Sequence, residues 1–106
     1  LLVWSDAAWS VYRQTLAFNP WPMAFTYYNG VRVRIITASV FTKSFVRSDP
    51  VLPGMIVMMC HEGLVVACGD GFLCISQLQF AGKKVQTVAH TQGQQDFVEG
   101  SFFQSN

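Results

Sequence analysis

No run of apolar residues in this chain approaches the roughly 20 needed to span a bilayer, so no membrane-crossing helix is expected. Charge is scarce: 12% of the 106 residues are charged while 51% are hydrophobic, a balance that excludes intrinsic disorder and suits one domain with a real core. Cysteine is few and odd in number, with Cys60, Cys68 and Cys74 all in or beside apolar runs. Free, buried, reduced thiols in a cytoplasmic protein are therefore expected, not a disulfide framework. Zinc takes about four Cys or His ligands in paired spacing. Adjacent Cys60 and His61, and the pair Cys68 and Cys74, make no such pattern, so no metal is expected. Histidine is limited to His61 and His90, both in polar surroundings without an acid–base partner. No glycine-rich loop leads into a Lys-Ser/Thr pair, so no phosphate-cradling loop is present. The first residues, LLVWSD, lack an initiator Met and a basic n-region. They read as a cut within a longer chain, not a signal peptide.

One further absence is local. Residues 7–48 contain no Asp or Glu but hold Arg13, Arg32, Arg34, Lys43 and Arg47, and Lys83-Lys84 adds a second basic point. A net charge of +1 argues for nothing by itself, but this segregation can give a nearly neutral domain one positive face. The rival reading is scattered, solvated charge.

The first element is a helix. Ser5 or Asp6 is placed to cap it, and Ala8, Val11, Tyr12 and Leu16 recur at helical spacing. Pro20 ends it by about Asn19, and Asn19-Pro20-Trp21-Pro22 forms a rigid corner with Trp21 as a plug beneath it. Residues 25–80 then read as strands. Phe25 to Tyr28 lead into the hairpin turn Asn29-Gly30. Val31, Val33 and Ile35 share one face, with Arg32 and Arg34 on the other, about 6–7 Å apart. The apolar phase then flips to Ile36, Ala38 and Val40, which predicts a bulge or strong bend. Residues 41–53 form the most mobile loop. Strands follow over 55–59, 64–68 and 72–80, the last apolar on both faces and therefore central. His61-Glu62-Gly63 and Gly69-Asp70-Gly71 are the turns between them. Thr87 caps a short helix over 88–92, and Phe97, Val98, Phe102 and Phe103 pack back onto the sheet. The predicted core is Val33, Ile35, Ile56, Val65, Ala67, Leu73, Ile75 and Leu78. One helix and five or six short strands in hairpin order make a mainly β chain, a small antiparallel barrel. The remaining aromatics, Trp4, Trp9, Tyr27 and Tyr28, read as core or corner residues before base-stacking ones.

Two segments carry more. AFNPWPMAFTYYNG at 17–30 and GLVVACGDGFLCISQLQFAGKK at 63–84, with Trp4-Ser5 before them and EGSFF at 99–103 after, have a telling order and separation. Together they resemble the C-terminal domain of the bacterial methionyl-tRNA formyltransferase family over nearly the whole chain. The resemblance implies an OB-like Greek-key β-barrel with an N-terminal helix and a short C-terminal helix. Residues 1–106 would be the tRNA-positioning domain, and the catalytic Rossmann-like N-terminal domain would lie outside this chain. It implies a parent enzyme that moves a formyl group from 10-formyltetrahydrofolate to the α-amino group of initiator methionyl-tRNA. No catalytic residue, folate contact or metal is expected in these residues. The partners implied are that tRNA and the enzyme's own catalytic domain. The implied tRNA-binding residues are Arg13, Arg32, Arg34, Lys83 and Lys84. The family often carries Arg where this chain has Leu16, and Arg13, on a neighbouring part of the same helix, takes its place. Two alternatives stand beside this reading. One is the equivalent domain of a sugar-nucleotide N-formyltransferase or formyltetrahydrofolate dehydrogenase. The other is a domain that only packs against its catalytic half and touches no RNA.

Overall fold

The computed structural model describes residues 1–17, 24–42, 51–88, 97 and 100–104. The expected Trp21 corner, residues 43–50 of the loop expected over 41–53 and most of the expected helix over 88–92 lie outside these residues, as do His90 and Val98. Phe41, expected to open that loop, is instead the buried last residue of the strand before it.

Helix α1, Ala8–Ala17, turns Ala8, Val11 and Thr15 inward. Thr15 occupies this buried face because its hydroxyl donates to the Tyr12 carbonyl at 2.6 Å, which satisfies it without water. Leu16, expected on the inner face, is instead 56% exposed, one position off the buried stripe. The expected side-chain cap is also replaced. The Ala8 amide donates to the Asp70 carbonyl at 2.8 Å. The Asp6 carboxylate instead accepts from Gln14 Nε2 at 2.9 Å. The helix start is thus seated on the Gly69–Gly71 turn. Gly69 lies so close beneath it that a Cβ there would overlap the Ser5 carbonyl oxygen.

Six strands form one curled antiparallel sheet: β1 Phe25–Tyr28, β2 Val31–Phe41, β3 Ile56–Cys60, β4 Gly63–Ala67, β5 Phe72–Phe80 and β6 Gln86–Thr87. Their order is β1-β2-β5-β4-β3, with β6 on β5. Asn29 and Gly30 both take positive φ, 51° and 78°, as a two-residue hairpin turn requires. The phase flip in β2 is a bulge: its register against β5 shifts on both sides of Thr37, after which Ala38 and Val40 pack on the core. β5 pairs with β2, β4 and β6, the central position its two-sided apolar pattern predicts. Thr87, expected as a helix cap, lies in β6 and pairs with Gln77 of β5.

Residues 100–104 close the curl into a barrel. Gly100 and Ser101 exchange backbone hydrogen bonds with Ile56, each 2.8 Å, and Phe103 donates to Gly54. Gln104 pairs with Tyr27 at 2.8 and 3.1 Å. One short segment therefore bridges the two open edges, at Ile56 of β3 and Tyr27 of β1, and covers part of the ladders an open sheet would present. Phe102, expected to pack inward, is 37% exposed, while Phe97 and Phe103 on either side are buried.

All eight predicted core residues are buried. Val65 and Ala67, however, belong to a second, smaller cluster with Phe41, Val57 and Cys74. Alternation puts them opposite Leu64 and Val66, which face the main core. β4 is buried along its whole length because both faces are covered. Val31, expected on the core face, is 42% exposed at the start of β2.

No disulfide joins the three cysteines; Cys68 and Cys74 are buried and Cys60 only half-buried, against the expectation of burial for all three. Burial pushes the Cys68 thiol up to about 12, a shift that a backbone hydrogen bond with Leu73 partly offsets. Its neutral form is favoured in the fold and its thiolate in the unfolded chain. Stability is therefore full below the ordinary thiol pKa of 9.0 and falls as pH rises from there towards 12. At pH 8 a thiol reagent should modify Cys60 in the native protein well before Cys68, and Cys68 only with unfolding. Mass mapping of the modified sites checks this order.

Among the described residues no helix is long and apolar enough to cross a membrane, and no group of three or more His, Cys, Asp and Glu could hold a metal.

Candidate nucleic-acid interface

The two basic points of the sequence meet at one end of the barrel. The Asn29-Gly30 turn fixes the β1–β2 register, so Phe25 pairs with Arg34 and Tyr27 with Arg32. β2 then pairs with β5, Arg34 against Gln79 and Val33 against Phe80. Beyond Phe80 the chain turns at once. The Ala81 amide donates to the Arg32 carbonyl at 2.9 Å, and the Lys83 amide returns to the Phe80 carbonyl at 3.0 Å. Gly82 takes φ 77° in this turn. Gln79 Nε2 donates to the Lys83 carbonyl at 2.7 Å and so braces the turn from the strand. Lys83 and Lys84 are thereby carried to the end of β5, beside the strand that displays Arg32 and Arg34.

The cations are exposed, and two of them rest on rings. The Arg32 guanidinium carbon lies 4.1 Å above the centre of the Phe25 ring, and Phe25 meets Tyr27 edge to face at 5.8 Å. A guanidinium held flat on a ring loses less side-chain freedom when it takes up an anion. Lys83 Nζ is 5.8 Å from the Phe80 ring centre, near the outer limit of such contact.

Two depressions open here. One, of about 160 Å³, is lined by Arg32, Arg34, Gln79, Phe80, Ala81 and Gly82. The other, of about 390 Å³, is lined by Tyr28, Asn29, Val31, Phe80, Ala81 and Lys83. Among the described residues no Asp, Glu, His or Cys lines either one, and the charged side chains that do are all cationic.

Of the five residues singled out in the sequence, Arg32 and Arg34 line one depression and Lys83 the one adjoining it, while Lys84, next in the chain, is exposed and lines neither. Arg13 is exposed on α1, a separate element, and lines neither depression. His61 is exposed in the β3–β4 turn. Sequence reasoning missed Phe25 and Gln79, which hold Arg32 and the lysine turn. Phe25 was legible in principle, because a two-residue Asn-Gly turn sets the register that brings it diagonally beside Arg32. Gln79 had no local signal.

The chain matches the sequence profile described as formyl transferase, C-terminal domain, over residues 1–95. It is 43% identical over 83 residues to the methionyl-tRNA formyltransferase of Hydrogenovibrio crunogenus, covering 78% of this chain and 25% of that protein. It is 40% identical over 84 residues to that of Magnetococcus marinus, covering 79% and 25%. With that of Pseudoalteromonas translucida the identity is 38% over 97 residues, covering 92% and 28%. The chain thus spans about a quarter of the length of the curated relatives it matches.

Proposed function

Because this chain belongs to the family of formyl transferase C-terminal domains, we propose that it holds and orients the RNA substrate of a methionyl-tRNA formyltransferase. The observation that carries this reading is the placing of Arg32, Arg34 and Lys83 around two adjoining depressions at one end of the β2–β5 pair, with Lys84 next in the chain and no carboxylate among the described residues that line them. Cations fixed on a surface attract a polyanion and gain affinity by releasing its counterions. Contacts of this kind set register and orientation but read little sequence. Held this way, the aminoacyl end of initiator methionyl-tRNA reaches a separate catalytic domain with less orientational entropy left to lose. In this proposal residues 1–106 act as one positioning domain. The acid–base groups and the formyl donor, 10-formyltetrahydrofolate, belong to the N-terminal catalytic domain and the protein works in the cytoplasm. Arg13, on α1, is an auxiliary contact at most one phosphate wide.

The test is the salt dependence of binding. Methionyl-tRNA is titrated against the wild-type chain and against the triple variant Arg34→Ala, Lys83→Ala, Lys84→Ala at two salt concentrations. All three side chains are exposed, so the fold should be unaffected. Affinity should fall, and the slope of log affinity against log salt should flatten by roughly 0.7–0.9 for each phosphate that is no longer neutralised. Wild-type affinity and slope in the variant would leave these cations as solvated surface and favour a domain that only packs against its catalytic half.

A further inference from the structure

Beyond backbone contact, we infer that the depression beside Lys83 is a subsite for one unpaired nucleotide of the bound RNA, an inference that rests on the reading above. A surface that only follows phosphates needs cations on a smooth strip. This one also has a hollow of about 390 Å³, at the lower end of the 300–1,000 Å³ typical of small-molecule sites. Its lining is more apolar than polar and includes Tyr28 and Phe80, both largely buried, and Val31, 42% exposed. Val31 has left the core face it was expected to share, and it borders the hollow instead. Asn29 stands at the rim with a carbonyl and an amide, one acceptor and two donors for a base edge.

The floor is rigid. Phe97 stacks on Phe80 at 5.4 Å, and the Tyr28 hydroxyl is hydrogen-bonded to the Ser101 hydroxyl at 2.9 Å. The lid is not. Lys83, exposed and 5.8 Å from the Phe80 ring centre, is held there weakly, and its ammonium gains more from a phosphate than from the ring. The smaller depression, about 160 Å³, shares Phe80 and Ala81 with the larger and adds Arg32 and Arg34. With two guanidinium-bearing side chains in its lining, it suits one phosphate group. A base in the larger hollow and its phosphate in the smaller one match the parts of a single nucleotide. A paired base inside a duplex offers neither a free face nor a free edge at this depth, so the ligand is an unpaired one.

Amide NMR titration of the 106-residue protein with AMP, adenosine and inorganic phosphate, each at millimolar concentration, tests the subsite. AMP should shift residues 29–31 and 80–83 together, adenosine only those around the larger hollow, and phosphate only Arg32, Arg34 and Gly82. Val31→Trp fills the hollow, and Val31→Asp places a negative charge in it; both substitute an exposed residue. Each should weaken AMP roughly tenfold or more and leave the phosphate shifts unchanged. The subsite is overturned if AMP and phosphate produce the same shifts, or if both variants bind AMP as the wild type does. Either result would leave the salt slope of tRNA binding untouched. Loss of the proposed function would show instead as a wild-type salt slope in the triple alanine variant.

Discussion

Removal of residues 100–106 is expected to abolish cooperative folding. The segment supplies backbone hydrogen bonds to β3 at Ile56 and to β1 at Tyr27, and it is the one described segment bridging both edges of the sheet. It also carries Phe103, 3% exposed, stacked on Trp4 at 5.7 Å and close to Tyr28 and Phe97. Loss of a buried Phe side chain alone costs about 3–5 kcal/mol. Domains of this size have a net stability of about 5–15 kcal/mol, so the ring and the edge pairing together remove most of it. Urea unfolding followed by far-UV circular dichroism checks this. The truncated chain should show no sigmoidal transition, and a wild-type midpoint would mean that the barrel closes without its last segment.

The second large effect is expected at Trp4. Its ring is 2% exposed, and its indole nitrogen donates to Thr26 Oγ1 at 2.9 Å. Thr26, itself fully buried, passes the connection on by donating to the Gln104 carbonyl at 2.8 Å. Trp4 therefore joins the chain start, β1 and the closing segment through one buried polar line inside an apolar core. Trp4→Ala should cost about 3–5 kcal/mol, which for a domain of this size lowers the melting temperature by roughly 12 °C or more. Trp4→Phe keeps most of the packing and loses only the hydrogen bond, so it should cost about 1–2 kcal/mol. Calorimetry on the two variants separates the contributions. Equal losses would mean that the hydrogen bond, not the ring volume, dominates.

What the sequence made legible was local. The strand over 72–80, the Asn29-Gly30 turn and the bulge in β2 all leave a signal within a few residues, as periodicity or turn chemistry. The closing segment leaves none. Gln104 and Tyr27 pair across most of the chain, and nothing near Gln104 announces a strand. The same holds at the helix start, where the Asp70 carbonyl does what Ser5 or Asp6 was expected to do. Val65 and Ala67 read as core residues and are buried, but alternation alone cannot say that a second cluster covers their side of the sheet. In the candidate site, Arg32 and Arg34 were legible as a pair because they alternate on one strand. That Lys83 lies beside them depends on β2 pairing with β5, a contact between distant parts of the chain. Arg13 shared only their charge.

The central claim is that this domain supplies orientation and not chemistry. The most direct measurement places residues 1–106, wild type and Arg34→Ala/Lys83→Ala/Lys84→Ala, in exchange for the matching C-terminal quarter of the Hydrogenovibrio crunogenus enzyme, its 43% identical relative. Formylation of methionyl-tRNA is then followed as a function of tRNA concentration. The account predicts that the triple variant lowers kcat/KM through a raised KM, most strongly at low salt, while kcat at saturating tRNA stays near that of the wild-type exchange. An equal fall in kcat and kcat/KM with KM unchanged, or no change in either, would contradict it.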